Sequence, residues 1–146
     1  MRVKCIYDLL ETCPQLKTEN NYFADAITYI TLNKEYTVYS IVRIKTDNIH
    51  KHLTSYLVMN DLNRTALLPV WHFEVLDSQM GHVDWHFRHY VENNLPRFDK
   101  HLIEFILGYR ELASDDLKHM LGLFQGKKKD LKIFQQWKNL IDSRLN

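Results

Sequence analysis

At 146 residues, with 45% hydrophobic and 25% charged side chains, the chain is long enough to bury a core unaided, and its composition excludes fibrous and disordered classes. A net charge of +1 argues against a strongly basic nucleic-acid binder, whose affinity grows with the number of phosphates it neutralises. Cys5 and Cys13 lack Cys-x-x-Cys spacing and read as free thiols of a reducing compartment; no signal peptide and no run near the ~20 apolar residues of a membrane span is visible, so a cytoplasmic single-domain protein is expected.

In "RVKCIY", Val3, Cys5 and Tyr7 share one parity, the period of a half-buried strand. Residues 11–25 hold Pro14 and a polar Thr-Glu-Asn-Asn run without sustained period, which predicts a long surface loop. "KEYTVYSIVRIK" (34–45) is apolar on both parities and predicts a central strand touched on two sides. Segments 55–61 and 66–77 flank "DLNRT", whose Asn and Asp favour short turns, and predict a hairpin. Within the second arm, Trp71, Phe73 and Val75 are expected to face in, with His72 and Glu74 out, and Pro69 marks an edge or a bulge.

"HVDWHFRHYV" follows a glycine-containing turn. As a strand it directs His82, Asp84, His86, Arg88 and Tyr90 to one face and Val83, Trp85, Phe87, His89 and Val91 to the other, which should be the buried one. As a helix it would instead align His82, His86 and His89 for a metal ion, but no His-Glu-x-x-His or Cys-x-x-Cys completes a ligand set, and the strand is preferred. His50 and His52 fall in a polar stretch that reads as a loop. Residues 102–110 fit strand or helix and are assigned to a strand.

After Ser114, a fitting N-cap, Leu117, Met120, Leu121 and Phe124 recur at helical spacing until Gly126. Residues 128–145 carry a second stripe of Ile133, Phe134, Trp137, Leu140, Ile141 and Leu145, with lysines opposite. The expected fold class is α+β: one domain, mainly β over 1–92, mixed over 93–113 and helical over 114–146, in which a small, strongly bent antiparallel sheet or barrel precedes C-terminal helices.

The segments "LNKEYTVYSI", "SYLVMND", "PVWHFEVLD" and "VDWHF" resemble a pattern of small bacterial proteins encoded beside polymorphic toxins. There a "G-K-x-Y-x-V" strand leads to "Y-L-I-x-D-D", "P-x-x-x-F-E-V-V-D" and a Trp-containing strand. Lys34, Tyr36, Val38, Tyr56, Leu57, Asp61, Phe73, Glu74, Val75, Asp77 and Trp85 match, over about residues 32–87; Asn33 stands for the usual glycine and Asn60 for the first aspartate. The resemblance implies a bent barrel and an immunity protein that occludes a cognate toxin, as in contact-dependent growth inhibition, without catalytic residues, cofactor or metal.

Residues 1–95 carry nine Lys and Arg against eleven Asp and Glu, and 96–146 carry ten against seven. If the toxin is a nuclease, the acidic part could imitate phosphate, and His72, Glu74, Asp77, Asp84, His86, Arg88 and Glu92 are the expected partner-binding residues; the basic tail could equally contact an acidic toxin. The alternatives are a nucleic-acid-binding barrel using its aromatic residues and the "GKKKD" run at 126–130, and a hydrolase built on His72/Glu74 and His82/His86.

Overall fold

The structure is a computed structural model that describes residues 1–8, 28–46, 52–80, 83–91, 95–98, 101–114 and 116–145. The loop expected over 11–25, with Cys13, and likewise His50, His82 and Glu92, lie outside the described residues. The strands are β1 (Arg2–Cys5), β2 (Glu35–Thr37), β3 (Ser40–Thr46), β4 (His52–Met59), β5 (Thr65–Pro69), β6 (Phe73–Asp77), β7 (His86–His89), β8 (Arg97–Phe98) and β9 (His101–Gly108). Two helices follow, α1 (Lys118–Phe124) and α2 (Lys128–Leu145).

The fold is α+β, as the patterning predicts, with antiparallel pairing throughout. A small sheet has the order β2-β1-β6 and a larger one β5-β4-β3-β9-β7, with β8 also on β9; the sheets stay open and do not close into a barrel. The bend comes from two strand lines that change sheets. Val38 N–H donates to Met1 of the small sheet, and the next residue, Tyr39, donates to Leu57 of the large one. The predicted strand 34–45 is therefore split at a corner into β2 and β3. The predicted arm 66–77 is split likewise, by a 3-10 turn over Val70–His72 just after Pro69, which ends the edge strand β5.

Two cores result. One face of the large sheet packs Val42, Ile44, Leu57, Ile103 and Ile106 against Leu117, Met120 and Leu123 of the α1 region and Phe134 and Ile141 of α2. The other face, at its β4–β5 end, packs Val58 and Leu68 against Val3, Cys5, Tyr36, Val38 and Phe73 of the small sheet. Val38 and Tyr39, neighbours at the corner, enter different cores. Tyr39 lies edge-on to Phe134 at 5.2 Å and donates its hydroxyl to Asp142 at 3.0 Å, which ties the sheet to α2.

Several expectations need correction. The β4–β5 hairpin exists, but β4 begins at His52, so His52 belongs to a strand. Ser114 does not cap α1; Leu117 does, at φ 55, and the Ser114 carbonyl accepts the Tyr90 hydroxyl at 2.6 Å. Gly126, at φ 68, does close α1: its own N–H reaches Leu123 O, and Lys127 N–H reaches Gly122 O. In α2 the stripe is buried at Phe134 and Ile141, whereas Leu140 is exposed.

Candidate functional site

The β6 residues fall on different sides of the chain. His72 was expected outside, but the 3-10 turn rotates it into full burial. Its Nδ1 donates to the Tyr7 carbonyl at 2.6 Å, which fixes the proton on that nitrogen, and Nε2 has no partner among the described residues. Burial pulls the pKa of His72 below its ordinary value, the Tyr7 bond opposing. Val75, expected inside, is 46% exposed. Glu74 is exposed and sits opposite Lys4, and Asp77 sits opposite Arg2, whose guanidinium pairs with Glu35 at 3.6 Å.

At β7 the predicted parity holds and His86 and Arg88 are exposed as expected, but Phe87 and His89, expected inside, are exposed too, and Tyr90, expected outside, is buried. His86 and Arg88 pair with Gly108 and Ile106, on the helix-bearing face, where Tyr90 is buried. Phe87 and His89 pair with Leu107 and Phe105, on the opposite face, and both are exposed. The strand is short, lies at the sheet edge and exposes all four side chains, so periodicity alone could not assign its inner side. Asp84 is exposed just before it, and the Trp85 indole donates to Met80 O at 2.7 Å, pinning the connection. His86 and His89 point to opposite faces and cannot converge on one ion.

The outer face of β3, β9 and β7 carries a mixed patch that the sequence reading did not assemble. Phe87, 62% exposed, lies 5.4 Å from Phe105. Beside them Glu104 forms an ion pair with Arg43 Nε at 3.3 Å and contacts His52 Nδ1 at 2.7 Å. Arg43 and His89 both pair with Phe105 across the sheet, so aromatic and charged groups adjoin. A bulge between Arg43 and Ile44 in the β3–β9 register, at Glu104, places its carboxylate on this face.

Two of the residues that carry the resemblance, Lys34 and Tyr36, meet a third, Asp61, in the β4–β5 turn. Its carboxylate accepts Lys34 Nζ at 2.5 Å, Thr31 Oγ1 at 2.6 Å and the Tyr36 hydroxyl at 3.0 Å. Desolvation opposes ionisation of Asp61, but these three donors together hold its carboxyl below the usual range. Tyr36 is pushed up to about 12, by burial first and by Asp61 in addition. Asn33 occupies φ 66, the conformation for which glycine and then asparagine are best suited, and Asn60 Oδ1 accepts the N–H groups of Leu62 and Arg64. Asn33 and Asn60 thus each serve the local backbone.

A buried polar chain joins the C-terminal elements. Asp130 of α2 contacts His119 Nδ1 at 2.7 Å, and His119 Nε2 contacts the Tyr109 hydroxyl at 2.8 Å. Tyr109 stacks on Trp137 at 5.2 Å, and the Trp137 indole donates to Glu111. Burial raises the Tyr109 pKa, so its hydroxyl stays protonated. No local spacing announces this chain, because its members come from three elements. Among the described residues no group of three or more His, Cys, Asp or Glu side chains is placed to hold a metal ion, and no helix is long and apolar enough to cross a membrane. No family model matches the chain, and neither a curated protein nor a solved structure is significantly similar to it.

Proposed function

We propose that the protein binds and neutralises a partner protein, as the immunity partner of a cognate toxin. The observation that carries this reading is the outer face of β3, β9 and β7. It displays an exposed phenylalanine on a second aromatic ring, bordered by arginine, histidine and glutamate, on a sheet whose other face packs against the helices. Aromatic and arginine side chains at the centre of a patch, with polar groups around them, are the composition of an interface that concentrates binding energy in few residues. The resemblance over residues 32–87 suggests a toxin as the class of partner; of its matched residues, Lys34 and Tyr36 meet on Asp61.

Inhibition would be stoichiometric: the face covers the toxin's active site or substrate surface, and no bond is made or broken. The test is co-expression with the product of the neighbouring gene, together with calorimetry on the purified pair. The expected result is protection of the cells, with Phe87→Ala weakening binding by about thirtyfold, near 2 kcal/mol, while the fold persists. Absence of both binding and protection in the wild type would overturn the reading.

A further inference from the structure

β7 is the last strand of the large sheet, and among the described residues its ladder partner is β9 alone. Tyr90 N–H donates to Glu104 O, so the residues of the same parity, His86 and Arg88, exchange main-chain bonds with β9. Phe87, His89 and Val91 have the other parity, and their N–H and C=O groups point away from β9, to the open side of the sheet. The register with β9 is regular, and neither proline nor lysine stands in 86–91, so the usual devices that blunt an edge are missing from this one. The opposite edge strand, β5, ends at Pro69 and has α1 packed against it. Phe87 and Val91, 62% and 70% exposed, are the most exposed large apolar side chains of the described residues, and they share the open parity.

We propose that this edge is completed by the same strand of a second copy, antiparallel about a twofold axis, so that one sheet runs through both molecules. Open main-chain groups call for an extended strand as the occupant, and the side chains choose the strand and its register. With the axis at His89, Phe87 lies opposite Val91 of the second copy, and Val91 opposite its Phe87. The two most exposed apolar groups thus cover each other, while Arg88 lies opposite Tyr90 on the helix-bearing side. The imidazoles at the axis can each donate and accept a hydrogen bond when neutral. Charge and strand length disfavour the neighbouring registers. An axis at Arg88 would set two guanidinium groups against each other, and one at Phe87 would need Asp84 and Trp85 within a strand that begins at His86. Pairing in the plane of the sheet leaves the outer faces side by side and open, with Phe105 and the Arg43–Glu104–His52 group on each. The dimer goes beyond the toxin reading and does not depend on it; where that reading holds, the toxin meets a face contributed by two copies.

The test is sedimentation equilibrium of the full purified chain, joined to amide hydrogen exchange below and above the association range. A dimer is expected, with a Kd on the order of 10 μM for so small a contact. On dimerisation the Phe87, His89 and Val91 amides should exchange at least about tenfold more slowly, whereas those of Arg88 and Tyr90, bonded to β9 in both states, should change little. His89→Pro removes an N–H that points to the open side and leaves the β7–β9 bonds in place, a position where an edge strand tolerates proline, and it should abolish the dimer. Val91→Lys alters an exposed side chain without touching the backbone and should weaken the dimer at least about tenfold. The proposal is overturned by a chain that stays monomeric at millimolar concentration, by a dimer that survives both variants, or by protection that falls outside 87–91. Protection of these amides by the neighbouring gene product, with the chain alone monomeric, would assign the edge to another protein and overturn it too. Since dimerisation is read on the chain alone, its failure leaves the toxin reading, tested by co-expression, untouched.

Discussion

Gly122 offers a substitution whose usual sign the structure reverses. In an exposed helix, replacing glycine by alanine gains about 1 kcal/mol, because alanine loses less backbone entropy on folding. Gly122 is buried on α1 beneath the first turn of α2, and a Cβ there would overlap the Asp130 carboxylate and lie 3.1 Å from Asp130 Cβ. Asp130 cannot turn away without releasing His119, which is 7% exposed and depends on that carboxylate for its Nδ1 partner. Losing a charge-assisted, nearly buried hydrogen bond costs about 1.5–3 kcal/mol. Against the propensity gain of about 1 kcal/mol, Gly122→Ala should therefore destabilise the protein by about 0.5–2 kcal/mol.

Urea unfolding followed by tryptophan fluorescence measures this, since Trp137 stacks on the Tyr109 ring of the same polar chain. The decisive comparison is a double-mutant cycle with Asp130→Ala. Removing the carboxylate leaves only the 3.1 Å Cβ contact, so in that background Gly122→Ala should cost little or gain stability. The reasoning is refuted if Gly122→Ala raises stability in the wild type, or if it costs as much without Asp130 as with it.

Two further outcomes follow from the same geometry. The His72 pKa is held down in the folded state, so the unfolded chain binds the proton first; stability should be full above about pH 6.5 and decline as pH falls through the unfolded value towards the lowered one, at no more than about 1.4 kcal/mol per pH unit from this group. Unfolding free energies between pH 5 and 8 check this, and a His72→Asn variant, which keeps a donor for the Tyr7 carbonyl, should flatten that part of the profile. At Asn33, φ 66 predicts that Asn33→Ala costs about 1 kcal/mol while Asn33→Gly stays within a few tenths, read as a pair of thermal melts; equal losses for both would show that the side chain and not the backbone conformation matters.

What could be read from the sequence was local. Parity placed Val3 and Cys5 inside β1, the Asn-rich turn predicted the β4–β5 hairpin, and helical spacing located α1 and α2 with their buried Met120, Phe134 and Ile141. The rest depended on partners far along the chain. Whether residues 34–45 form one strand or two is decided by Met1 and Leu57, which accept from Val38 and Tyr39 on either side of a corner. His72 is turned inward by a short 3-10 segment that interrupts an otherwise regular alternation. The cross-strand neighbours of Glu74 and Asp77, Lys4 and Arg2, lie far earlier in the chain. At β7 the alternation is legible but its inner side is not, because an edge strand with four exposed residues takes its sides from β9.

These placements bear on where specificity can reside. Lys34, Tyr36 and Asp61, which carry the resemblance, spend their polar groups on one another and on Thr31, and Asn33 and Asn60 set backbone turns beside them. Side chains so committed define the junction between the small sheet and the hairpin, and they have little left to offer a partner. A group with capacity to spare is Phe87 on the outer face, 62% exposed.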